Sequence, residues 1–264
     1  IGNAEYISKS GNDLSLFQTI VLSIIQAITE FLPISSSAHL LLPSKVLGWP
    51  DQGILFDITV HFATLLAVLI YFRDEFLKIN FYLSRTFLYL VLSTLPIVLI
   101  VLFVDGVGDY RWSLSSIAYA NLFFALLLLL SEKISLNKLT NSDMNIKHAV
   151  VIGLFQTFSL ISGASRSGTA ITGSLLLGYK KEEAAKYSLM LSIPTILGAL
   201  IFSFGDINTL TDDIDILTTF IAFLTTFTVS YFSISIFIKL VKQLGYMPFI
   251  VYRLILGSVL LWLI

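Results

Sequence analysis

Cysteine is absent from all 264 residues, which excludes disulfides and thiolate metal centres. Charge is scarce. Asp, Glu, Lys and Arg make up 12% of the chain, against about a quarter in an average soluble domain. Neither sign dominates, since 16 basic and 17 acidic residues leave a formal charge of −1. No basic run exists to hold a nucleic acid, so that class of partner is excluded. The opening stretch IGNAEYISKSGNDLS is polar and lacks the basic-then-apolar layout of a signal peptide; it reads as a short exposed leader. What remains is apolar: 56% of residues are hydrophobic and the mean hydropathy is +0.88. A chain of this kind is an integral membrane protein, read as one membrane domain over residues 1–264 with membrane lipids around it.

The chain repeats itself. Residues 21–49 recur at 151–179, a constant 130 positions later, with Gln26/Gln156, Ser35/Ser165, Ser37/Ser167 and Gly48/Gly178 among the identities. Six apolar segments approach the length of a membrane span, at 56–72, 86–104, 114–131, 187–205, 216–238 and 247–264. Adding 130 to the first three lands on the last three, so the repeat extends over 16–131 and 148–264. The apolar stretches 16–32 and 148–161 are too short to span. Each runs into a polar, small-residue segment (33–39, 162–169) and then a second short apolar piece, the pattern of a hairpin that enters the membrane and turns back.

Basic residues give the orientation. Segments 73–85, 132–147, 180–186 and 239–246 hold 3, 3, 3 and 2 of them; segments 1–15, 49–55, 105–113 and 206–215 hold 1, 0, 1 and 0. The first set is expected in the cytoplasm and the second outside. The two sets alternate only if both short windows are re-entrant. Three spans between the hairpins invert the second copy, so the expected fold is all-α with an inverted-topology repeat. Each half is a re-entrant hairpin plus three transmembrane helices, giving about ten helices and six full spans.

Ionisable residues at membrane depth are candidates for function. The second tip, SGASRSGT, offers Gly163 for a tight turn, Ser165 or Ser167 to cap the following helix, and Arg166 as a planar cation suited to phosphate oxygens. With the free N–H groups of a helix N-terminus, this favours a phosphate or pyrophosphate. The expected phosphate-binding set is Gly163, Ser165, Arg166, Ser167, Gly168 and Thr169, joined by Ser35 and Ser37 from the first tip. That first tip, EFLPISSSAH, has Pro33 to break the incoming arm, Ser35, Ser36 and Ser37 before the outgoing arm, and His39 beside the hydroxyls as acid or base. Gln26 and Glu30 are four residues apart and share a helical face. They can hold a divalent cation, Mg²⁺ or Ca²⁺, whose shell phosphate oxygens and water would complete. Glu30 can equally pair with Arg166 as a structural bridge.

Other polar residues carry less. Lys45 can snorkel to the interface. Asp57 and His61, four apart, can face the site or form a local pair. His148 reads as structural, and Glu182 and Glu183 in the Lys-rich turn 180–186 read as solvated.

The two tips are similar to a known signature. QAITEFLPISSSAH (Gln26 to His39) and SGASRSGT (Ser162 to Thr169) resemble the (E/Q)xxxE–FLPxSSxxH and PGxSRSGxT motifs of the undecaprenyl-pyrophosphate phosphatase family, also called the bacitracin-resistance protein family. The resemblance implies hydrolysis of undecaprenyl pyrophosphate, a C55 lipid, to the monophosphate and phosphate. It implies a divalent cation and a multi-pass place in the bacterial inner membrane, with the site open to the periplasmic side. Two departures are visible: Gln26 stands at the first position of the acidic pair, and Ser162 replaces the usual Pro, which is expected to loosen the second tip. On this basis Glu30, Ser36, His39 and Arg166 are the expected catalytic residues. Ser36 is read as nucleophile with His39 as its base, and water activated by His39 as the runner-up. A polyprenyl-phosphate transporter using the same site is the competing class, and the sequence allows a homodimer.

Overall fold

The computed structural model describes residues 14–104, 113–204 and 215–264. The expected leader 1–15 and the loops 105–113 and 206–215 fall almost wholly outside the described residues. Helices α1 (Leu16–Thr29) and α2 (Ser36–Leu47) form the first hairpin; α3 (Gly53–Tyr71), α6 (Arg85–Phe103) and α7 (Leu114–Ile134) follow, with single-turn helices α4 (Arg73–Phe76) and α5 (Ile79–Tyr82) between them. The second half repeats the order: hairpin α8 (Ile146–Thr157) and α9 (Arg166–Leu176), then α10 (Lys181–Phe204), α11 (Ile216–Leu244) and α12 (Met247–Trp262). Leaving out the one-turn pieces, ten helices are described.

Local chemistry sets the boundaries. Ser15 and Gln18 form a reciprocal capping box that starts α1. Glu30 closes α1, and Pro33 follows where an unbroken helix would need another N–H. Gly48 ends α2 at φ 67°, a left-handed C-cap that glycine adopts without strain.

Five helices (α3, α6, α7, α10 and α11) are long and apolar enough to cross a bilayer, so the protein is a multi-span membrane protein. The sixth expected span is shorter than the sequence suggested. α12 has 16 residues, roughly 24 Å at 1.5 Å per residue against a hydrocarbon core of about 30 Å. It starts where expected, at Met247, with Gly245 turning the chain at φ 66° just before it and Pro248 in its first turn, and it ends two residues early, at Trp262.

Packing is reciprocal between the halves. α1 packs on α11 and its counterpart α8 on α6, while α7 packs on its own counterpart α12. Beside the α1–α11 contact lies a groove of about 300 Å³, lined by Ile28, Leu32, Phe232, Ile236 and Leu240. At the basic end, Lys181 Nζ meets Glu132 Oε1 at 2.6 Å and the Tyr246 N–H donates to the same oxygen at 3.0 Å, so α7, α10 and the start of α12 are fastened together. Glu183 is not simply solvated. Its carboxylate accepts the Asn141 N–H at 2.9 Å and holds the 141–143 turn against α10. Glu182 is exposed, and Lys45 is exposed in the last turn of α2. His148 Nδ1 lies 2.8 Å from the buried Tyr179 hydroxyl, a structural contact as expected.

Candidate active site

The two tips meet. Ser167 Oγ of the second tip donates to the Leu32 carbonyl of the first at 2.9 Å, and Ser162 Oγ donates to Ser37 Oγ at 3.4 Å. Residues 162 and 167 are the repeat counterparts of 32 and 37, so the two contacts exchange under the repeat, as a two-fold relation requires. Ser162, where a proline is usual, therefore adds a contact between the tips rather than only removing a constraint.

Ser35 and Ser165 are equivalent positions, and both hold φ 73°. Such backbone costs a non-glycine residue about 1–3 kcal/mol and collects at functional sites. Each aims the following residue, Ser36 in one copy and Arg166 in the other, from the first position of a helix. The two N-termini differ. Ser165 caps α9 by accepting the Gly168 N–H at 3.1 Å. Ser35 makes no such cap for α2, so the first-turn donors of α2 are left without a side-chain acceptor.

Glu30 is the hub. Its Oε2 accepts from Ser36 Oγ at 2.7 Å and from Gln26 Nε2 at 3.1 Å, its Oε1 lies 3.4 Å from Arg166 Nη2, and His61 Nε2 stands 4.0 Å from Oε2. The carboxylate is buried. Arg166 is held loosely: both its protein bonds, to Glu30 and to the Ser188 carbonyl, measure 3.4 Å, and its buried Nε has no partner among the described residues. A closed structural bridge would be shorter, about 2.7–2.9 Å, with both donors engaged. Gln26 Oε1 is also buried without a partner. That unpartnered amide oxygen beside a carboxylate and a hydroxyl is an all-oxygen donor set, and it fits a hard divalent cation.

Several expected phosphate ligands have their protons turned inward. Ser167 donates to Leu32, and Thr169 Oγ1 to the Arg166 carbonyl at 2.9 Å. The Gly168 N–H belongs to the Ser165 cap. Gly163 has φ 97°, and a Cβ there would stand 2.6 Å from the Ile117 carbonyl, so this glycine serves a close backbone approach. Ser35 Oγ and Ser37 Oγ pair at 3.3 Å. His39 does not reach the Ser36 hydroxyl. Its Nδ1 donates to the Ser35 carbonyl at 2.7 Å, and its Nε2 accepts from Tyr252 Oη at 2.6 Å. Both ring nitrogens thus steady the first tip. His61 does face the site, turned toward Glu30 by its Nδ1–H bond to the Asp57 carbonyl at 2.7 Å, while the Asp57 carboxylate stays local with Gln52 at 3.4 Å.

Sequence reasoning missed Arg253, Asn121 and Tyr252. Arg253 is fully buried on α12. Its Nε donates to Asn121 Oδ1 at 2.9 Å, Nη1 to the Pro33 carbonyl at 3.2 Å, and Nη2 to the Gly163 and Ala164 carbonyls at 2.8 and 3.1 Å. One guanidinium therefore ties both tips to the α7–α12 pair. The signal was present, since a cation and an amide inside apolar spans are costly unless bonded.

Repeat counterparts are chemically unlike. Glu30 corresponds to Leu160, Ser36 to Arg166 and His39 to Thr169. Gln156, the counterpart of Gln26, is buried and tied to the Ser93 carbonyl and to Thr195.

Comparison with known proteins places the chain in a family. The family model described as Bacitracin resistance protein BacA matches residues 19–259. An "Undecaprenyl-diphosphatase" of Alteromonas mediterranea is 38% identical over 264 residues, covering 95% of this chain and 99% of that protein. One of Alcanivorax borkumensis is 40% identical over 262 residues, covering 94% and 98%.

Proposed function

The chain belongs to the family described as Bacitracin resistance protein BacA, and on that premise we propose that its paired tips are the catalytic centre of an undecaprenyl-diphosphatase. It hydrolyses undecaprenyl diphosphate to undecaprenyl phosphate and inorganic phosphate, and so returns the lipid carrier of cell-wall synthesis. The observation that carries the assignment is the 2.7 Å bond from Ser36 Oγ to the buried Glu30 carboxylate, within reach of a guanidinium with an unpartnered donor. A carrier that only bound and released a lipid phosphate would need the cation but not a hydroxyl aligned on a base.

The reaction runs in two steps. Ser36 Oγ attacks the terminal phosphorus and its proton passes to Glu30 Oε2. The bond to the bridging oxygen breaks and undecaprenyl phosphate leaves. Arg166 and the uncapped N-terminus of α2 face the charge that develops. Water then attacks the phosphoserine, phosphate departs, and the proton returns to Ser36. Glu30 takes the role of base that the sequence gave to His39, because Glu30 holds the hydroxyl and His39 holds the backbone of Ser35. Gln26 and Glu30 would hold a divalent cation, Mg²⁺ or Ca²⁺, which when bound neutralises phosphate charge. Membership of this family supports a place in the bacterial inner membrane with the site reached from the periplasmic side.

Rapid acid quench of the purified protein during turnover tests the scheme. Phosphoserine at position 36 is expected, with loss of phosphate release in Ser36→Ala and Glu30→Gln. Turnover by Ser36→Ala without a phosphoenzyme would remove the serine route.

A further inference from the structure

We propose that a file of buried water between α1 and α11 hydrates Glu30 and delivers the water that cleaves the phosphoenzyme; the inference rests on the hydrolytic reading above. Thr19, Ser23, Gln26 and Glu30 are spaced 4, 3 and 4 residues apart, so they share one narrow face of α1. That stripe runs roughly 17 Å at 1.5 Å per residue, from the N-terminal end of α1 to the catalytic carboxylate. α11 packs against α1 and presents Thr226, Ser230 and Ser233 at the same helical spacing; Thr226 Oγ1 touches the Ser23 carbonyl at 3.4 Å.

The seam is polar but its bonds are unmade. Thr19, Ser23, Gln26 and Ser230 are each 0–1% exposed, and Thr19 Oγ1, Ser23 Oγ, Gln26 Oε1 and Ser230 Oγ have no hydrogen-bond partner among the described residues. Helix hydroxyls usually satisfy themselves on the carbonyl one turn back, as Thr29, Thr59 and Thr94 do here. Small residues alone would explain close helix packing. They do not explain four unpartnered oxygens in a row ending at a carboxylate. Buried polar atoms find partners, and water is the partner that bridges facing hydroxyls.

The reaction needs such a route. Until the cleaved undecaprenyl phosphate diffuses away into the bilayer, it occupies the opening through which substrate entered. The second step still requires a water. Its oxygen forms a bond to the phosphoserine phosphorus, the Ser36 Oγ–P bond breaks, and the proton that Glu30 took from Ser36 in the first step returns to Ser36 Oγ. Phosphate leaves with both water protons.

The absence of cysteine makes the test direct. Ser23→Cys and Ser230→Cys in the full chain, reconstituted in vesicles, are treated with silver ion, with the lipid-facing Ile24→Cys as reference. Seam thiols are expected to react at least about tenfold faster, since a thiol in apolar surroundings stays protonated and inert. Ser23→Ala removes the hydroxyl at nearly constant volume. It is expected to lower kcat several-fold at unchanged KM and to accumulate phosphoserine at position 36, a signature that mere loosening of the helix pair would not give. Seam thiols no faster than position 24, or phosphate release by Ser23→Ala at the parent rate, overturns the water file. Failure of the parent protein to release phosphate overturns the hydrolytic reading instead.

Discussion

Replacing Arg253 with alanine removes a buried cation that bonds four acceptors: Asn121 Oδ1 and the carbonyls of Pro33, Gly163 and Ala164. A buried acceptor left without a donor costs about 1–3 kcal/mol. Four of them amount to roughly 4–12 kcal/mol, as large as the whole stability of many domains. The sum is an upper bound because the groups share one neighbourhood. No carboxylate pairs with Arg253 among the described residues, so its removal leaves no stranded anion to add to the loss. Arg253→Ala is therefore expected to fail to accumulate as a monodisperse protein. Arg253→Lys keeps the charge but cannot reproduce a fork that grips both tips and Asn121. It is expected to fold with a loss of about 2–6 kcal/mol, two bonds' worth, and to lose most of its turnover because the tips separate. Denaturant unfolding in detergent, with phosphate release on the same samples, measures both. A cycle with Asn121→Ala adds a check: the double variant should lose less than the sum of the singles, by at least about 0.5 kcal/mol. Parent-like stability and turnover in Arg253→Ala would refute the idea that this guanidinium holds the tips together.

Three further expectations follow from local geometry. Ser35→Gly relieves a strained φ of 73°, worth about 1–3 kcal/mol, against an entropic loss of about 0.5–1. The variant should unfold at higher denaturant yet turn over more slowly, as Ser36 is no longer aimed; a destabilised variant would contradict this. Gly163→Ala adds a Cβ 2.6 Å from the Ile117 carbonyl at φ 97° and should cost at least about 2 kcal/mol, read from the same unfolding curve. Asp143 accepts from the N–H and hydroxyl of Thr140, which hold its carboxyl below the ordinary value. A lowered folded pKa stabilises the 141–143 turn fully above about pH 3.9. That contribution fades as pH falls through the lowered value. Amide exchange in this turn, compared with Asp143→Asn, should show the difference narrowing below pH 4.

Much of the architecture was legible in the residues. Hydropathy and the 130-residue offset located both hairpins and the helices that follow them, because apolar length and polar interruptions are local properties. The sixth span began where hydropathy placed it, at Met247, and ended two residues short, at Trp262, since a helix's last turn is set by fraying rather than by apolar content. Glu30 and Arg166 were recognised since ionisable groups at depth stand out against an apolar background. The partner of Ser36 was not. Spacing put His39 one turn along from Ser35, and only the backbone turn shows its ring occupied by the Ser35 carbonyl and Tyr252. Arg253 escaped notice because everything it binds lies 89 to 220 residues away, apart from what α12 itself supplies.

The unlikeness of the two copies has an evolutionary corollary. A pair of identical first halves would set acid against acid where the tips cross and repel an anionic lipid. A pair of identical second halves would bring two guanidiniums together and lack the Ser36–Glu30 pair proposed above to do the chemistry. Duplication thus supplied a frame, and divergence at three matched sites supplied the division of labour. Neither half, expressed alone and allowed to self-associate, inherits the trade of the whole.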